Sequence, residues 1–229
     1  MAELTLDGAG VLPRSFFAGS SVTVAPALLG CVLSSWSADG VVAVAITEVE
    51  AYEGESDPAS HAYRGQTRRN GVMYGEPGHA YVYFTYGMHF CVNLVCRPEG
   101  TASAVLLRAG AVVAGAELAR ARRRSARGEP PVDRDLARGP ARLCQALSID
   151  RALDGVDVCD PASPLRIGPA DGPASGVASG VATGVVRSGP RVGVSQAATV
   201  PWRFWVEGEP SVSAYRAWTP RRVNPSSRP

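Results

Sequence analysis

The chemistry in this chain concentrates between residues 41 and 96, and it begins with two carboxylates. After an apolar, β-branched run at 41–46 the sequence alternates as Thr47-Glu48-Val49-Glu50-Ala51-Tyr52. Period-2 geometry therefore puts Glu48, Glu50 and Tyr52 on one side of a strand. A carboxylate at the end of a buried strand can be tuned by partial desolvation to act as a general base. Glu50 fits that role and Glu48 competes for it; the pattern does not choose between them. A carboxylate pair also raises hydrolysis of a glycan. Residues two apart on one strand stand about 6–7 Å apart at Cα and face the same way. Glycan hydrolysis needs the carboxylates to flank the bond, which disfavours that reading.

Other side chains in the stretch suit a flat, polar ligand. Tyr81 and Tyr83 share one strand face, and either could be ordinary core. His61 lies in the preceding loop, where loop hydrogen bonding and ligand contact are equally good readings. Asn93 interrupts the apolar run FCVNLVC, where a buried amide must find partners in the core or on a ligand edge. Tyr86-Gly87 reads as a turn that leaves an aromatic at or near a hairpin tip. Large aromatics are normally buried, so one held out near a strand-end carboxylate and several tyrosines points to a bound flat group.

These residues need elements to hold them. The run at 41–50 reads as a strand, entered through the Asp-Gly turn of SADG at 37–40. Residues 80–96 read as a hairpin, and 103–107 as an apolar strand ending in Arg108, which brings a guanidinium to a strand end. The loop at 53–78 carries His61 with Arg64, Arg68 and Arg69; loops of that length are usually functional or disordered. Ala25-Pro26 suits the opening of a short helix, residues 111–127 have helical composition with arginines massed late, and Pro140 suits a first helical position. From 160 to 189 the composition turns to Pro, Gly, Ser and Ala, which reads as a flexible loop. RVGVS, WRFWVEG and SVSAYRAW then read as two closing strands. Flexible ends are expected at about 1–14 and 220–229.

Composition narrows the function class. A chain of 229 residues, 45% of them hydrophobic, can bury a sizeable core, and one domain spanning 1–229 is expected. Net charge is only +2, which argues against a nonspecific polycation, yet all 23 basic residues are Arg. Five cysteines without a C-x-x-C pair read as reduced core thiols, and three histidines argue against a structural zinc site. No signal-peptide pattern and no long apolar span are found, so a cytoplasmic location and no membrane contact are expected.

TEVEAY, DPASHAYRG, GHAYVYFTYGMHFCVN, AVLLRA, GPARLCQALSI, RVGVS and PWRFWVEG, in this order over roughly residues 15–215, resemble the alkyladenine (3-methyladenine) DNA glycosylase family of bacteria and mammals. The resemblance implies a mixed α/β (α+β) single domain with a curved, mostly antiparallel β-sheet, peripheral helices and a protruding hairpin. It implies a monomer, in the bacterial cytoplasm with the nucleoid, that binds double-stranded DNA through the minor groove. Tyr86 would enter the base stack, and the flipped base would lie among Tyr52, His61 and Tyr83 with Asn93 at the pocket floor. Glu50 falls on the family's general base, Arg108 on its arginine beside the attacking water, and Val192 on a residue contributing a backbone carbonyl. Arg64, Arg68 and Arg69 are candidate phosphate contacts. Expected substrates are 3-methyladenine, 7-methylguanine and hypoxanthine, released by hydrolysis of the N-glycosidic bond without cofactor or metal. A chain without Lys has only its terminal amine to form a Schiff base, so no lyase step is expected. A noncatalytic DNA-binding protein on the same fold is the rival reading.

Overall fold

The computed structural model describes residues 10–85, 87–124, 128–129, 131–169 and 184–220. Its centre is a 13-residue strand, β2 (Gly40–Tyr52), whose apolar run is buried almost throughout. Strand β1 (Val32–Ser37) pairs antiparallel with the first half of β2, from Val32 opposite Ala45 to Ser37 opposite Gly40, as the SADG turn predicts. Strands β3 (Ala80–Thr85) and β4 (His89–Val95) also pair antiparallel, ending with Thr85 opposite His89. Gly87 takes φ +68° in the connection, where the missing Cβ makes that conformation inexpensive. Tyr86 lies outside the described residues.

Strand β5 (Ala104–Ala114) lies between β4 and β2 and runs seven residues beyond the expected end at residue 107. Arg108 is thus in mid-strand. The expected helix at 111–127 is correspondingly shorter: residues 111–114 belong to β5, and α2 covers Ala116–Arg123. Val112 continues the ladder opposite Val44 and, past a bulge at Val113, Ala114 pairs with Ala43, a tertiary pairing that overrides local helical composition.

Two further strands occupy ends of the segment expected to be a loop. In β7 (Leu165–Gly168) Leu165 and Ile167 point into the core while the strand pairs with β1, and β8 (Val186–Gly189) pairs with β9 (Arg203–Val206). The Gly/Ser/Ala repeat between them lies outside the described residues, as do the two chain ends at 1–9 and 221–229. Of the two expected closing strands only β9 forms; residues 211–218 run without strand pairing. With the short β6 (Ala137–Arg138) on β5, nine described strands form one antiparallel sheet, ordered β3-β4-β5-β2-β1-β7, with β9 on the second half of β2.

Helices cover this sheet. In α1 (Ser21–Ala27) Ser20 caps the first turn by accepting from the Thr23 N–H, so Pro26 falls in the last turn instead of opening the helix. A β-region residue with a free hydroxyl is the better N-cap. In α3 (Pro140–Ala146) Pro140 does stand at the helix start, and Leu143, Cys144 and Ala146 pack inward on β4 and β5. The long segment between β2 and β3 is ordered by two 3₁₀ turns, Gly54–Ser56 and Gly71–Tyr74, and by Asn70, whose amide donates to the carbonyls of His61 and Gly65.

Candidate active site

Register explains how the charged residues meet. Along β2 and β5, Ile46 faces Gly110 and Glu48 faces Ala109, which leaves Thr47 unpaired; Glu48 then faces Ala109 and Val49 faces Leu107, which leaves Arg108 unpaired. Back-to-back bulges of this kind re-aim side chains. Here they bring Arg108 against both carboxylates: Nε donates to Glu48 Oε1 at 2.8 Å, and Nη1 lies 3.2 Å from Glu50 Oε2. Both glutamates are fully buried, deeper than a strand-end position suggested.

Their partners separate the two acids. Glu48 also accepts from Arg203 Nε at 2.7 Å and from the Ser213 N–H and hydroxyl at 2.7 and 2.9 Å. Burial alone would raise its pKa, but Arg108, Arg203 and the Ser213 bond outweigh burial and hold it below the ordinary carboxylate value. Glu48 is therefore a locked structural anion. Glu50 accepts from the Tyr52 hydroxyl at 2.8 Å and the Val192 N–H at 2.7 Å. For Arg108, burial disfavours the cation, yet Glu50 and Glu48 together raise its pKa well above the ordinary value, so it stays charged.

In front of this cluster lies a cavity of about 500 Å³. Tyr52, His61, Tyr83, Asn93, Arg108 and Val192 all line it. Glu50 sits behind that wall, screened by its own donors Tyr52, Val192 and Arg108. Tyr81 and Tyr83 stack with centroids 5.5 Å apart, and His61 meets Tyr83 edge-on at 4.5 Å. His61 Nδ1 lies 3.1 Å from the Tyr81 hydroxyl. Desolvation, then the charge of Arg69, lowers the His61 pKa and favours the neutral ring. Burial, then the charge of Glu50 and the bond to it, raises Tyr52 well above its usual value, so it remains a donor. Asn93 donates from Nδ2 to the Tyr81 carbonyl at 3.2 Å. Arg64, Arg68 and Arg69 are exposed and do not line the cavity; Arg69 Nη2 donates to the Phe84 carbonyl at the end of β3. Among the described residues no group of His, Cys, Asp or Glu is arranged to hold a metal, and no helix is long and apolar enough to cross a membrane.

The sequence reading missed several supports of this site. Arg191 is fully buried, pairs bidentately with buried Asp57, and stacks its guanidinium 4.7 Å from the Tyr52 ring. Arg191 and Arg203 carry a usable signal, since a buried Arg in an apolar stretch requires an anionic partner. Nothing local marks Ser213 or Trp218, and the latter also lines the cavity.

A buried carboxylate and arginine on the central strands thus lie behind an aromatic-walled cavity whose shape and chemistry suit a flat ring. Residues 15–210 match the sequence model of the methylpurine-DNA glycosylase family, and the chain belongs to that family. It is 58% identical over 213 residues to a protein of Streptomyces avermitilis, covering 92% of this chain and 94% of that one. A Leifsonia xyli protein is 54% identical, with 94% and 96% covered, and a Mycobacterium tuberculosis protein 48% identical, with 85% and 89% covered. All three are provisionally named 3-methyladenine DNA glycosylases.

Proposed function

We propose that the protein is a monofunctional DNA glycosylase that removes alkylated purines from duplex DNA and starts their repair. The observation that carries this reading is the cavity of about 500 Å³ walled by Tyr52, His61 and Tyr83 with Glu50 and Arg108 at its back. In the reaction the damaged nucleotide leaves the stack through the minor groove and its base lies among the three rings. Tyr86, in the sequence between β3 and β4, fills the gap left behind. A base alkylated at N3 or N7 is already cationic, so it departs with the electron pair of the C1′–N bond as a neutral purine. Water adds to the oxocarbenium-like carbon and gives its proton to Glu50, while Arg108 steadies the carboxylate and the nearby phosphate. Because Glu50 is screened in this structure, seating the lesion must draw water past the Tyr52 and Val192 donors, with the Val192 carbonyl helping to hold it. Asn93 opposes the exocyclic amine of guanine at the pocket floor. Arg64, Arg68 and Arg69 contact phosphates, and the chain works as a monomeric single domain without a cofactor.

The test is base release from methylated duplex DNA by wild type and Glu50→Gln in parallel, followed by alkali to reveal abasic sites. Release by wild type that collapses in the variant, with DNA binding kept, is the expected result. Binding without release by wild type would instead assign the site to recognition alone, the rival noncatalytic reading.

A further inference from the structure

The cavity has a wall outside the family match, which ends at residue 210. Past that point the chain is fastened along the site. Thr47 Oγ1 and Ser211 Oγ are 2.9 Å apart, Arg138 Nε donates to the Val212 carbonyl at 2.9 Å, and the Ser213 carbonyl accepts from Arg203 at 2.8 Å. Ser213 also closes on Glu48. The Gly193 N–H then donates to the Arg216 carbonyl at 2.9 Å, one residue from the Val192 N–H that holds Glu50. Two residues later Trp218 reaches the cavity wall with half of its surface still open (50%). A ring left half exposed adds little to the core, yet the chain delivering it is bonded to Glu48 and to Gly193, the neighbour of the Val192 that holds Glu50.

We propose that Trp218 is a substrate-contacting residue that sets lesion preference: its indole supplies a further aromatic surface against the everted base. Among aromatic rings indole attracts cations most strongly. Trp218 therefore favours cationic purines such as 7-methylguanine over neutral ones such as hypoxanthine. The inference rests on the glycosylase reading, and its test separates the two.

Single-turnover base release is measured with full-length wild type, Trp218→Ala and Trp218→Phe on duplexes carrying 7-methylguanine or hypoxanthine. Half-saturating enzyme concentration and maximal rate are read separately. Removing a stacking ring should raise the half-saturating concentration for 7-methylguanine roughly tenfold in Trp218→Ala. The rise should be smaller for hypoxanthine, and Trp218→Phe should recover most of the loss. Unchanged thermal melting keeps the comparison free of misfolding. Wild-type release of both bases with Trp218→Ala indistinguishable from it, equally impaired on both lesions, or tighter and faster because the indole had blocked the cavity, would overturn the role of Trp218 alone. Failure of wild type to release either base would overturn the glycosylase reading and this inference with it.

Discussion

Glu48 and Glu50 are two residues apart in one strand and equally buried, yet their hydrogen-bond partners differ. Four donor contacts hold Glu48 as an anion between two arginines. Removing one member of a buried charge cluster leaves the others uncompensated, so Glu48→Gln should cost about 3–5 kcal/mol in urea unfolding. Its pH signature has a definite sign. The folded pKa of Glu48 lies below the ordinary 4.5. Its contribution is complete above that value and is lost as pH falls from 4.5 through the lower folded pKa. Wild type should therefore lose stability more steeply than Glu48→Gln over that acid range, and equal slopes would argue against a depressed Glu48. At His61 the shift is likewise downward, and an NMR titration should place its midpoint below 6.5.

At the scale of elements, the paired bulges in β2 and β5 make the site, and close packing beside them enforces the bulges. A Cβ on Gly110 would stand 2.3 Å from Val44 Cγ1 and 2.5 Å from the Ala45 carbonyl oxygen. Gly110→Ala should force the two strands apart and destabilise by at least about 1–3 kcal/mol. Because the same strands aim Arg108, base release by the folded fraction should fall as well. Gly71 is the control: nothing lies within 4 Å of its Cβ position and its φ is not positive. Chemical denaturation and base release should leave Gly71→Ala close to wild type.

The whole molecule carries a net charge of only +2, so DNA attraction must come from where the arginines stand. Arg64, Arg68 and Arg69 are exposed on the segment before β3, with Arg69 tied to the end of that strand. If they meet phosphates, replacing each with Ala should weaken binding on any sequence and lower the slope of log affinity against log salt by roughly one per lost contact. Fluorescence anisotropy at several salt concentrations reads this directly. The absence of Lys is also a property of the whole chain. Borohydride added during turnover should trap no protein–DNA adduct once the N-terminus is blocked, and a trapped adduct would contradict a monofunctional reaction.

The order of motifs, the alternation around Glu48 and Glu50, the Asp-Gly turn and the proline at the start of α3 are local properties, and residue type and spacing alone determined them. The family resemblance carried by those motifs, not spacing itself, led to the expectation that Tyr52, His61, Tyr83, Asn93, Arg108 and Val192 share one site on a mixed, mostly antiparallel fold. Tertiary pairing decided what local pattern cannot carry. It extended β5 through Arg108, because Ala111, Val112 and Ala114 found partners in β2, and it recovered β7 and β8 from segments whose composition resembles a loop. The different surroundings of the two carboxylates were also tertiary. Glu48 is taken by Arg203 and Ser213, more than 150 positions away, while Glu50 is held by Tyr52, Val192 and Arg108 at the back of the cavity. No spacing rule reaches across such separations, since they are set by which strand edge the chain returns to and where two bulges turn an arginine inward.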